Sequence, residues 1–148
     1  MDNDNTMHEH EIKHLEFIQS AITRMGANSF QMKGWAVTIF SAFLALFAAS
    51  EEKQIAYLFV AVFPLLLFWF LDAYYLQLER KFRGIYDDVA KITPVDHRQV
   101  VRLFDMPLTN YRGGKYSYWN ALKTRTISSL YLLMIVGALV GGVAVHCK

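Results

Sequence analysis

Residues 10–14 of this 148-residue chain read HEIKH. On a helix, H-E-x-x-H puts two imidazoles on one face for zinc, with the glutamate as general base. His10 and His14 would be the ligands and Glu11 the base. A catalytic zinc takes a third protein ligand, and the later histidines do not supply one. His97 stands alone in a distant basic segment, and His146 follows the last apolar block. No Ser-His-Asp set, Walker loop or Cys-His cluster appears elsewhere. We therefore read the chain as a non-enzyme, with no metal and no cofactor expected. The single cysteine, Cys147, excludes an internal disulfide framework.

A second constellation carries binding chemistry. Residues 106–126, MPLTNYRGGKYSYWNALKTRT, interleave Arg112, Lys115, Lys123 and Arg125 with Tyr111, Tyr116, Tyr118 and Trp119 around a Gly-Gly pair. Cations for phosphates and aromatic faces for bases are what a nucleotide or single-stranded oligonucleotide site uses. Arg98 and Arg102, just upstream, would extend it. A basic flank with an interfacial aromatic belt before a transmembrane helix has the same composition, and the residues alone leave both readings open.

The third feature is one carboxylate. In FWFLDAYYLQLERKFRGIYDDV, residues 68–89, an apolar run meets Asp72 and strong helix formers continue past it. Asp72 either pairs with Lys33 and fixes helix register, or contributes to a ring of carboxylates at an inner pore mouth. Thr38 and Ser41, on a small, weakly polar face of the preceding apolar block, are the other candidate pore residues. Packing against another helix would explain that face equally.

The elements that must position these residues are helices in a membrane. The chain is 54% hydrophobic. Three blocks, 34–50, 55–71 and 127–145, carry no charge, and each approaches the roughly 20 residues needed to cross about 30 Å of hydrocarbon. Of the 15 Lys and Arg residues, most lie between Arg80 and Arg125. The positive-inside rule then places the N-terminus and residues 79–126 in the cytoplasm, and the SEEKQ turn and the C-terminus outside. The N-terminal stretch lacks the basic start and apolar middle of a signal peptide.

Two seams link the elements. Leu15, Ile18, Ile22 and Met25 follow a 3-4-3 rhythm, which Tyr75, Leu78, Phe82, Ile85, Val89 and Ile92 repeat and continue. In an antiparallel hairpin turning near Glu52, Ile22 meets Phe82, Ile18 meets Ile85, Leu15 meets Val89 and Ile12 meets Ile92. Lys33 falls beside Asp72 and Arg24 beside Glu79. The spacing predicts a cytoplasmic amphipathic helix over 6–32, capped by Thr6 and Glu9. Span 1 follows over 34–50, then span 2 over 55–78, continuing to 92 as a stalk. A basic segment covers 93–125, with a short helix after Thr93-Pro94 over about 94–105, and span 3 covers 127–145. Gly137, Gly141 and Gly142 in span 3 have the spacing that lets helices approach closely, within the chain or between chains. Three thin spans enclose little alone, so a homo-oligomer is expected, a tetramer being the simplest choice. The fold class is thus an all-α membrane protein with three transmembrane helices and a cytoplasmic helical stalk, and its first partner is the lipid bilayer.

EIKHLEFIQSAITRMGANSFQMKGW together with FWFLDAYYLQLERKFRGIYDDV resembles the SLATT-like class of small bacterial membrane effectors, with LDAYYLQLER-FR and the NSF-KGW element its most distinctive parts. FDMPL and the third span look similar to longer members. The resemblance covers most of the chain and implies a multi-pass protein of the bacterial inner membrane. It also implies a partner nucleotidyltransferase in an anti-phage system and pore formation that depolarises the infected cell. The channel subunit of a Hailong-type defence system is one arrangement the chain fits. The third helix departs from the simplest two-span plan.

Overall fold

The computed structural model describes residues 2–50 and 56–146, with side chains over 5–50 and 56–143. The SEEKQ turn, apart from Ser50, and Cys147 lie outside the described residues. Within them every regular element is helical: α1 (Asp2–Ala49), α2 (Ala56–Val89), α3 (Tyr118–Leu122) and α4 (Arg125–His146), with three single 3-10 turns between α2 and α3. Three of these helices are long and apolar enough to cross a membrane: α1, α2 and α4.

The amphipathic helix and the first span are one rod. α1 runs 48 residues without a break, about 72 Å at 1.5 Å per residue. Gly26 and Gly34 lie within it, because an isolated helical glycine costs only about 1 kcal/mol relative to alanine. The helix already begins at Asp2, so Thr6 sits inside it and does not take the N-cap expected of it. α2 passes through Pro64 and extends 17 residues beyond Asp72, about 26 Å.

Antiparallel packing of α1 on α2 builds the core in two parts. Ile18, Ala21, Ile22, Phe82, Ile85 and Tyr111 form one cluster. Ala36, Leu65, Ile127, Tyr131 and Met134 form the other, where α4 joins the hairpin. The expected seam is therefore present at Ile18, Ile22, Phe82 and Ile85, with Val89 packed at its edge. Its outer end differs. Leu15 is half-buried while His14 is fully buried in its place. Ile12 and Ile92 are both exposed, since α2 ends before Ile92 can reach a partner.

That ending has a defined geometry. Lys91 adopts a left-handed φ of 60°. The Ile92 amide donates to the Asp87 carbonyl (2.8 Å) and the Lys91 amide to the Asp88 carbonyl (3.2 Å). This is a Schellman closure with lysine at the position glycine usually takes, so no glycine announced it. No α-helix follows over 94–105. Pro94 opens a 3-10 turn, Val95–His97, and Arg98 then returns to extended backbone.

Candidate functional site

The most buried polar group lies where the three long helices meet. The α2 spacing directs Asp72 toward the face of α1 carrying Ser29 and Lys33. The Asp72 carboxylate is completely buried. Ser29 Oγ donates to Oδ1. Lys33 Nζ lies 2.8 Å from Oδ1, 2.8 Å from Oδ2 and 2.9 Å from Ser29 Oγ. Oδ2 receives the lysine charge without an aligned hydrogen bond. From α4, the fully buried Tyr131 faces the carboxylate, its hydroxyl making no aligned hydrogen bond. An ionised side chain at this depth persists only when paired. The Lys33–Asp72 pair expected from the hairpin register is thus present. The carboxylate is turned into the junction and away from solvent. Arg24 does not reach Glu79, which pairs instead with Arg83 one turn along its own helix at 2.8 Å.

Beyond the junction, residues 90–117 wrap the far end of the hairpin as a head. Its anchor is Gly84. A Cβ there would fall 2.5 Å from the Tyr116 hydroxyl and 2.8 Å from the Tyr111 ring. Glycine lets both tyrosines lie flush on α2, edge to face at 5.3 Å. Tyr111 donates to Asp88 Oδ2 at 2.6 Å, which also accepts the Gln99 amide at 3.3 Å. Burial, with the Asp88 carboxylate beside it, pushes the Tyr111 phenol well above its ordinary pKa. Gln77 Nε2 holds the Tyr116 carbonyl at 2.9 Å. Arg98 donates to the carbonyls of Thr93 (2.8 Å) and Lys91 (3.0 Å), closing the end of α2. His14 Nε2 donates to the Asp105 carbonyl at 3.1 Å. His10, His14 and Phe17 surround the ring of Phe104 at 5.8–6.2 Å, so both histidines of HEIKH serve head docking.

The nine sequence-predicted ligand residues thus divide. Tyr111, Tyr116 and Arg98 are used within the fold. Arg102, Arg112, Lys115, Lys123, Arg125 and Trp119 are exposed. No Asp or Glu occurs from Met106 onward, and among the described residues none of these cations has a carboxylate within ion-pair distance. The exposed cations of the head are therefore unpaired, and its cations outnumber Asp96 and Asp105.

A short bridge ties the head to α4. Tyr118 donates to the Phe70 carbonyl (3.1 Å) and Trp69 Nε1 to the Leu122 carbonyl (3.3 Å). Arg80 donates to Thr124 Oγ1 at 2.8 Å and to the Lys115 carbonyl at 3.3 Å. On α4, Gly142 is buried and a Cβ on Gly141 would meet Leu58 at 3.7 Å, whereas Gly137 faces open space. One end of the glycine motif packs inside the chain and the other is uncovered. Thr38 is exposed and donates to the Gly34 carbonyl of its own helix at 2.9 Å. Ser41 is exposed beside it.

Sequence reasoning overlooked Ser29, Tyr131, Gly84, Asp88 and Arg80. Their only signal is a small or polar residue at a position that helical spacing turns inward. Compared with protein-family models, curated proteins and solved structures, the chain matches none.

Proposed function

We propose that this protein is an oligomeric ion channel of the bacterial inner membrane, an anti-phage effector gated by a nucleotide or oligonucleotide from a partner nucleotidyltransferase. The N-terminus and the head lie in the cytoplasm and the C-terminus outside, with the outer halves of α1 and α2 forming the stalk. The observation that carries the proposal is the pairing of a net-basic head, its exposed cations unpaired, with helices able to span a bilayer. The head is clamped to the extension of the very helix that enters the apolar zone. Arg102 and Arg112, on the distal part of the head, are the cations placed to take phosphates. A ligand gates by binding open and closed arrangements with different affinity. The bridge from head through α3 to α4 gives such a difference a path to the spans. Thr38, Ser41 and the open face at Gly137 are where copies meet or line the path.

Planar-bilayer recording of the purified full chain tests this directly. Unitary conductance that changes on adding single-stranded oligonucleotides is expected. Silence under all conditions would reject the channel.

A second reading is a non-conducting membrane adaptor that recruits a soluble protein. It is favoured by strongly exposed apolar residues at the distal turn, Val95 (78% exposed) and Val100 (94%). With Met7 and Leu103 they rim a cleft of about 410 Å³. Under this reading, Val95→Ser with Val100→Ser abolishes function in cells, and the purified chain conducts under no condition.

A further inference from the structure

Lys123 and Arg125 stand apart from the head cations. They flank the turn between α3 and α4, and Ile127, two residues on, is already buried in the core where α4 meets the hairpin. α3 is fixed to α2 through the Phe70 and Leu122 carbonyls. It therefore sits beside the point at which α2 changes from apolar residues to Asp72. Arg112 lies farther out, next to the Tyr111 that packs on Gly84, about 18 Å of helix beyond Asp72.

Trp119 is 65% exposed on α3, and Phe70 is 47% exposed on the neighbouring face of α2. Large aromatic rings left bare at this level are unfavourable in water, and Trp is favoured at the headgroup level of a bilayer. Lys123 and Arg125 are exposed as well. Arg80, half-buried beneath them, is committed to Thr124 and Lys115. Across this turn no acidic side chain offsets the charge.

From the placement of these groups we infer that Lys123, Arg125 and Trp119 form a binding surface for anionic phospholipid headgroups. Lys123 and Arg125 contact the phosphate while the Trp119 ring inserts beside the glycerol backbone. The inference rests on the membrane reading above and divides the basic segment by depth. The lipid-level pair takes headgroups, and the distal cations stay free for a soluble ligand. A cationic group close to an anionic surface strengthens binding by about fivefold, so the pair gives a preference on the order of 25-fold over a zwitterionic lipid.

Full-length protein in mixed phosphatidylglycerol and phosphatidylcholine nanodiscs provides the test, with retained lipid counted by native mass spectrometry. Phosphatidylglycerol is expected to be enriched. The enrichment falls in Lys123→Gln/Arg125→Gln and stays unchanged in Arg102→Gln/Arg112→Gln. Brominated acyl chains are expected to quench fluorescence in the wild type more than in Trp119→Phe. Equal retention of the two lipids by protein that has inserted normally would overturn the inference and leave the membrane reading intact. So would loss that follows Arg102 and Arg112. Displacement of the lipid by inorganic phosphate at matched concentration would also overturn it, marking a soluble-anion site instead. Failure to insert at all would reject both.

Discussion

Asp72 is the residue on which the architecture turns. It is buried, ionisable and flanked by apolar helix on one side and water-compatible helix on the other. Removing its partner, as in Lys33→Met, leaves an uncompensated carboxylate. The expected cost is about 3 kcal/mol in denaturant unfolding from detergent, the low end of the usual range because a quarter of the lysine side chain is exposed. Lys33→Met combined with Asp72→Leu should recover much of that loss. Gly84 makes a second test. Gly84→Ala forces Tyr111 and Tyr116 off α2 and should cost about 1–3 kcal/mol. Gly34→Ala, with nothing within 4 Å of its Cβ, should be neutral or stabilise by up to about 1 kcal/mol. Tyr111 adds a pH dependence. Its phenol is held above the ordinary value of 10.0, so its contribution is intact below that pH. It is lost as pH climbs further, because the unfolded chain ionises first. Tyr111→Phe should be less stable at neutral pH and should fall less steeply above about pH 10.

The elements were largely legible in the sequence, and the reasons differ along the chain. Three uncharged blocks reveal the apolar helices because length and composition are all that crossing a bilayer requires. Ile18, Ile22, Phe82 and Ile85 reveal the hairpin seam because apolar spacing and burial coincide there. His14 broke the pattern. Its burial depends on the Asp105 carbonyl, 91 positions away, which no local rule anticipates. The end of α2 was hidden for a related reason: Lys91 occupies a left-handed cap that glycine normally signals. Lys91→Gly relieves an αL penalty of about 1–2 kcal/mol but adds an unfolded-state entropy cost of about 0.5–1. A net stabilisation near 0.5 kcal/mol is expected, read as a small upward shift of the unfolding midpoint. The basic segment was legible as composition, but not its division. That Tyr111, Tyr116 and Arg98 hold the head in place follows from Gly84, Asp88 and the α2 terminus, all remote from the motif.

At the scale of the whole molecule, two regions share one pair of helices. One region is apolar and includes α4. The other is a basic head packed on the continuing hairpin, and the Asp72 junction separates them. The central claim is that α2 leaves lipid for water at that point. Cysteine labelling in native membranes tests it most directly, with Cys147→Ser as background and a membrane-impermeant maleimide as probe. Phe63→Cys and Arg83→Cys are both exposed on the isolated chain, yet only Arg83→Cys should react, and only once the cytoplasmic face is opened to the reagent. Equal labelling of Phe63→Cys and Arg83→Cys would contradict the account, because α2 would then meet water along its whole length.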